Sequence, residues 1–233
     1  MMVKRQDWDS DFFGLRIGRA DIVSEEESVM LASQVKSLKE NFDLIYVFVR
    51  HGLPFYGHNA KLVDEKTVYV LPHLHCVGLE EEENVIVWGC TKGMTDDLLH
   101  LALVSGRYSR FKLDDRFPSG SYERVYSRWM EQSVNQSLAS EVFCYMVEDI
   151  PRGLVTLDRK DGVGTIGLVA IHEDFQHRGI CSAMMQHVKA YSTKKQVDKL
   201  TVVTQLENIP ACKLYEKSGF DVESVTDVWH WWL

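Results

Sequence analysis

Nothing in this chain of 233 residues supplies a cross-linked or metal-stapled framework. Its five cysteines (Cys76, Cys90, Cys144, Cys181 and Cys212) are odd in number and scattered, with no CxxC pair. A disulfide scaffold and a zinc site are thereby set aside, and buried reduced thiols are expected in their place. No apolar run approaches the ~20 residues that a membrane helix needs. The opening MMVKRQDWDSDFFG lacks the apolar core of a signal peptide, so the expected location is the cytoplasm. Positive charge is also in deficit, with 26 Lys and Arg against 34 Asp and Glu and a net charge of −8. That excludes nucleic acid as the main partner, because phosphate binding needs a basic face. One basic pocket for a phosphate-bearing ligand stays open. There is no internal repeat and no low-complexity linker.

The chain does hold enough apolar residues, 45% of the total, to bury one good core or two small ones. Its sharpest compositional break is the acidic run Glu80 to Glu83, read as a solvated loop. We place a boundary there, between a smaller α/β domain at residues 1–83 and a larger one at 84–233. In the first, Ser24 caps a helix over residues 25–41 with Glu27 as its capping-box partner. Leu44 to Val49 reads as a buried strand and Lys66 to Leu71 as another.

In the second part, Val85 to Trp88 reads as a strand and Thr95 caps a helix to Val104. A second helix opens at Ser119 or Ser121 and runs to about residue 135, with Tyr122, Val125, Tyr126 and Trp129 on its apolar side. Strands follow at Val142 to Glu148, Gly153 to Leu157 and Thr165 to Ile171. Next come a helix from Gly179 to Lys194, a strand at Leu200 to Thr204, and a helix from Ile209 to Lys217 ended by Gly219. Val222 to Leu233 reads as a hairpin, or as one long strand broken near Thr226-Asp227. This order predicts an α/β fold with a mixed sheet and helices on its faces.

The chemistry concentrates in Gly167 to Ala183, where a buried strand, Leu168 to Ile171, runs into the polar turn Gln176-His177-Arg178-Gly179 and straight into a helix. The first N–H groups of a helix lack internal partners and lie at the positive end of its dipole, which makes a cradle for a diphosphate. Gly179 clears the approach, Arg178 adds charge at the rim, and Cys181, Ser182 and Ala183 keep the first turn small. An ordinary strand-to-helix connection with a surface Arg would look alike on this stretch alone.

Downstream lies Gln205-Leu-Glu-Asn-Ile-Pro-Ala-Cys-Lys-Leu-Tyr-Glu-Lys-Ser-Gly-Phe220. Here the sequence resembles the GCN5-related N-acetyltransferase superfamily. The acetyl-CoA motif Gln/Arg-x-x-Gly-x-Gly/Ala is met at Gln176 and Gly179, with Cys181 in place of the last small residue. The pattern N-x-x-A-x-x-x-Y-x-x-x-G-F is met loosely at Asn208, Ala211, Tyr215, Gly219 and Phe220. The resemblance covers roughly Val85 to Leu233 and implies acetyl-CoA as cofactor. It implies that backbone amides of His177, Arg178, Gly179, Ile180, Cys181, Ser182 and Ala183 hold the diphosphate. Main-chain groups of Leu168, Val169, Ala170 and Ile171 would hold the pantetheine, with Asn208 against it, and Tyr215 would protonate the leaving thiolate. His172, which closes the strand, is a candidate base; a water chain is the alternative.

Two further segments are similar to bacterial TDP-fucosamine acetyltransferases, which carry a smaller domain before the acetyltransferase fold. One is Asp7 to Arg19, with its Trp and Phe-Phe-Gly; the other is Ser109 to Phe117. The similarity implies a nucleotide-linked amino sugar as acceptor. Arg110 and Arg116 would bind its diphosphate, Phe111 and Phe117 would cover a base or sugar, and Asp114 and Asp115 would accept sugar hydroxyls or an amine proton. Another small amine, an amino acid, or a non-catalytic CoA-binding role are the competing readings. The aromatic tail Val228-Trp-His-Trp-Trp-Leu233 is either a buried final strand or one that packs across a homodimer.

Overall fold

The computed structural model describes residues 3–74 and 81–233, so Cys76 and Glu80 lie outside the described residues. The chain runs β1 (Lys4–Arg5), α1 (Asp7–Phe13), β2 (Ile17–Ile22), α2 (Glu25–Ser33), α3 (Val35–Leu38), β3 (Leu44–Arg50) and β4 (Lys61–Leu71). It continues through β5 (Val85–Val87), α4 (Asp96–Ser105), α5 (Arg110–Leu113), α6 (Ser121–Val134), β6 (Glu141–Val147), β7 (Ile150–Lys160) and β8 (Val163–Ile171). The last elements are α7 (Ile180–Lys194), β9 (Lys199–Gln205), α8 (Ile209–Lys217) and β10 (Asp221–Trp232). The mixed α/β architecture is the expected one.

Local chemistry explains most element ends. The Ser24 hydroxyl accepts from Glu27 N–H at 3.3 Å, and the Glu27 carboxylate reaches back to Val23 N–H at 2.7 Å. The helix they start is interrupted at Gln34, earlier than expected, and splits into α2 and α3. Thr95 caps α4 through Leu98 N–H. Neither Ser119 nor Ser121 caps α6; Gly120 in the left-handed region does, with no side-chain hydrogen bond. Ser109 caps the short α5, a helical turn inside what reads in sequence as a connection.

The ten strands of the described residues join one sheet in the order β1-β2-β3-β10-β4-β9-β8-β7-β6-β5. Its parallel pairs are β2–β3 and β8–β9. The tail is a single strand, with register irregularities at Val222/Ser224 and Val228/Trp229 rather than a break at residues 226–227. It lies inside the sheet, between β3 and β4. Trp231 and His230 are fully buried there, so the tail takes the first of its two expected forms, a buried final strand. The sheet also crosses the expected boundary between residues 83 and 84, because β10, from the far end of the chain, lies between β3 and β4. Cores mix in the same way: Phe13, Ile17 and Tyr46 pack with Leu98, Val125 and Met130.

The functional consequence of the fold lies at β8. This strand pairs with β9 only from Val163 to Ile166. Opposite Thr156, β8 carries one residue too many, because Val155 faces Val169 while Leu157 faces Ile166. The extra residue is a β-bulge, which re-aims the strand and reverses its in/out alternation. Ile166 packs under α7, whereas Leu168 and Ala170 pack on the α4 and α6 side. A Cβ at Gly167 would lie 2.7 Å from the Thr156 hydroxyl oxygen, and that oxygen accepts from Leu168 N–H at 2.8 Å. Glycine at 167 thus lets the threonine replace a lost ladder bond. Beyond it, residues 167–171 have no strand partner on the β9 side among the described residues.

Candidate active site

The open edge of β8 forms one wall of a cleft of about 930 Å³, lined also by β2, β4, α5, α6, the start of α7, β9 and α8. One end of the cleft is built by the turn into α7. His177 and Gly179 both take positive φ, 61° and 78°, which turns the chain sharply; Gly179 fits this region without the cost a Cβ imposes. No side chain caps α7. Ala183 N–H is bonded to the Gly179 carbonyl at 3.0 Å, so the N–H groups before it are left for a ligand anion. Gln176 ties the turn to the end of β8 by donating to the Ile171 carbonyl at 3.0 Å.

Cys181 is partly buried inside the first turn of α7, and burial pushes its thiol up to about 12. It packs as a small apolar residue, which is how it substitutes for the motif's Gly or Ala. Tyr215 lines the same cleft from α8, with its ring 5.5 Å from that of Tyr69. Burial, then its neighbours Cys181 and Cys212, hold its phenol well above the usual range. Asn208 caps α8, accepting from Ala211 N–H at 3.4 Å and donating to the Thr204 hydroxyl at 3.2 Å.

The part of the cleft formed by β2, β4 and α5 gathers three cations. Arg19 of β2 stacks 3.8 Å over Phe48 and holds Asp21 at 2.6 Å. Lys66 of β4 shares that ring at 6.0 Å. Arg110 of α5 stacks 4.0 Å over Tyr46. Burial, then repulsion from Arg19, lowers the Lys66 ammonium, with Arg110 adding to it. Arg110 is placed from below by a buried relay. Its Nη1 lies 3.5 Å from His230 Nε2, and His230 Nδ1 lies 2.7 Å from Asp114 Oδ2. Burial holds His230 down at about 4, so it is neutral and Nε2 is free to accept. Burial works to raise Asp114, but hydrogen bonds from His230, Arg116 and Trp232 hold it well below the usual carboxylate range. Asp64 of β4 faces the same space; burial raises its carboxyl to about 6 against the pull of Arg110, Gln205 and Lys66.

Comparison with known proteins agrees with this geometry. Residues 109–220 match the acetyltransferase (GNAT) family. They form a GNAT acetyltransferase domain. The chain is 24% identical over 140 residues to the spore coat polysaccharide biosynthesis protein SpsD of Bacillus subtilis (strain 168). That match covers 60% of this chain and 48% of the relative, so the chain spans about half the length of the curated protein it matches. A GCN5-related N-acetyltransferase from Sphaerobacter thermophilus superposes with TM-score 0.55 at 16% identity, covering 85% of this chain and 64% of the other. A functionally unknown conserved protein from Staphylococcus epidermidis ATCC 12228 gives 0.61 at 13% identity, covering 92% and 82%. These likenesses carry the fold.

Within the GNAT domain, the structure sorts the expected site residues. Leu168, Val169, Ala170, Ile171, Gln176, His177, Gly179, Ile180, Cys181, Ser182, Asn208 and Tyr215 line the cleft, as do Arg110 and Phe111. Arg178 turns away to the Asp174 carbonyl at 2.7 Å, and Ala183 lies one helical turn in. His172 is not at the cleft: its Nδ1 accepts from Asp174 N–H, and its ring packs beside His100 and Phe175. Four residues expected at the acceptor, Asp114 among them, do not line the cleft. Arg116 is bound to Asp114 at 2.8 Å, Phe117 is buried between Phe13 and Trp232, and Asp115 is exposed outside the cleft. Arg19, Asp64 and Lys66 carry no local signal in the sequence, because strand pairing alone brings β2 and β4 to the GNAT cleft.

Proposed function

We propose that the protein moves the acetyl group of acetyl-CoA directly to the amino group of a nucleotide-linked amino deoxysugar. The observation that carries this reading is the convergence of Arg19, Lys66 and Arg110 at the acceptor end of a chain with net charge −8. Like charges held together at a cleft, with one ammonium already lowered, favour an anion of at least two charges. A nucleoside diphosphate has that charge, and Trp8 stands beside it, 41% exposed and stacked on Phe12, as a platform for a base. The polysaccharide role in the name of SpsD agrees with a sugar acceptor.

Acetyl-CoA supplies the thioester. The N-terminus of α7 holds its diphosphate, and main-chain groups on the open edge of β8 hold its pantetheine arm. Tyr215 gives its hydroxyl as a hydrogen bond to the departing thiolate. With its phenol raised, full proton transfer to a thiol near ~8.5 is uphill, so the gain comes from donation while charge develops.

A panel of TDP- and UDP-linked amino sugars, polyamines, aminoglycosides and amino acids, assayed with acetyl-CoA by thiol release, tests the reading. Turnover is expected with nucleotide-linked amino sugars. Lys66→Met should raise their KM about tenfold or more, with the KM of acetyl-CoA unchanged. Turnover confined to amines without a phosphate would overturn the acceptor.

A further inference from the structure

We propose that Asp64 is the general base, taking the proton of the acceptor's ammonium before its nitrogen attacks. The proposal rests on amine acetylation by acetyl-CoA, and stands whichever amine the panel returns.

The first ground is an unmet hydrogen bond. Among the described residues, three acids line the cleft: Asp9, Asp64 and Asp158. Asp9 accepts from the Tyr46 hydroxyl at 3.2 Å and Asp158 from the Ser140 hydroxyl at 2.8 Å. The Gln205 side chain hydrogen-bonds the Asp64 carboxyl, but Asp64 Oδ1 is buried with no hydrogen-bond partner among the described residues. A buried carboxylate oxygen without a donor costs stability, and such atoms in native structures call for an explanation. Asp64 also lines the cleft, so an ammonium brought there supplies the missing donor once a turn of the carboxylate presents Oδ1 to it.

The second ground is where Asp64 stands. Alternation along β4 puts Tyr69 on the α8 side, in contact with Tyr215, and turns Asp64 and Lys66 to the opposite face. That face holds the acceptor groups. Arg110 of α5, Tyr126 of α6, Gln205 of β9, and Glu65 and Lys66 of its own strand surround Asp64, with Arg19 of β2 beyond Lys66. Three cations alone would repel an incoming ammonium. Asp64 is the carboxylate among them that can offset this locally, and more fully once a bound anion neutralises the cations.

The third ground is the match of acid strength to task. A carboxyl raised to about 6 is ionised at neutral pH yet basic enough to share an ammonium proton. The protons balance as follows. The acceptor nitrogen arrives with three and the amide keeps one. Asp64 takes the first, and releases it to solvent after turnover. The nitrogen lone pair forms the C–N bond and the C–S bond breaks. The nitrogen's second proton reaches the sulfur through water, while the Tyr215 hydroxyl steadies the departing thiolate by its hydrogen bond.

The test is the pH dependence of acceptor kcat/KM, using TDP-fucosamine or the best amine from the panel. The wild type is expected to lose activity below an apparent pKa near that of Asp64. In Asp64→Asn, kcat at pH ~7 should fall about 100-fold or more with acetyl-CoA KM unchanged. Its activity should then climb steadily with pH as the free amine grows. Asp64→Glu should restore part of the rate and move the acid limb, which a purely structural role would not do. An Asn variant with wild-type kcat, or an Asn or Glu variant with its pH profile unmoved, overturns the proposal. A wild type that acetylates no amine overturns the functional reading with it, and so the two failures are told apart.

Discussion

At the scale of single residues, the buried unpaired oxygen of Asp64 leaves a thermodynamic trace independent of any substrate. Its carboxyl is raised to about 6 in the folded chain, above ~3.9 in an unfolded one. Between those values the native state holds a proton that the unfolded chain has released, so stability falls as pH rises through that window. The deficit at neutral pH is roughly 2–3 kcal/mol. Asp64→Asn should therefore raise Tm by about 4–10 °C at pH ~7, and leave it unchanged well below pH ~4. Thermal unfolding at the two pH values checks this, and a variant with wild-type Tm at both would mean the carboxylate is satisfied. Tyr215 gives the complementary case. Tyr215→Phe removes one oxygen from a buried ring and keeps its packing against Tyr69 and Phe220. Turnover should drop sharply while acetyl-CoA affinity, read by calorimetry, stays near wild type. Unchanged turnover would reject the hydroxyl as donor to the thiolate.

At the scale of elements, the site depends on a strand that leaves its neighbour. Gly167→Val would put a branched side chain against the Thr156 hydroxyl, whose bond to Leu168 N–H supports the bulge. The expected result is acetyl-CoA KM raised about tenfold or more, since the open edge is redirected. Gly179→Ala, strained by φ alone with open space around its Cβ, should cost less. The bulge was not legible in the sequence, because the apolar run Leu168 to Ile171 reads as unbroken strand whichever face each residue takes. Signals carried within a few residues were legible. The turn into α7, the Thr95 cap and the glycine ending α8 placed those elements to within a residue or two. His172 and Arg178 show the limit. Adjacency to a motif placed them at the chemistry, but the turn after β8 aims both side chains elsewhere.

At the scale of the whole molecule, what was hidden is the partnering of distant strands. Arg19, Lys66 and Asp64 sit on β2 and β4, and only the sheet brings those strands to α5 and β9. The same sheet governs how the chain folds. β10 has β3 on one side and β4 on the other, both from before the expected boundary, and β4 in turn covers β9. Residues 84–233 alone would keep β10 with neither neighbour and expose the β9 edge, with a row of unpaired backbone groups. Burial of Trp231 among Ile45, Val47 and Phe55 would be lost as well. We therefore expect residues 84–233, expressed alone, to show no cooperative thermal transition by circular dichroism, and co-expression with residues 1–83 to restore one. The cleft cations Arg19 and Lys66 would be missing from that fragment in any case, since both precede the cut. A fragment that melts cooperatively and binds acetyl-CoA would instead mark the boundary near Glu83 as a true domain limit, with the N-terminal strands serving the acceptor alone.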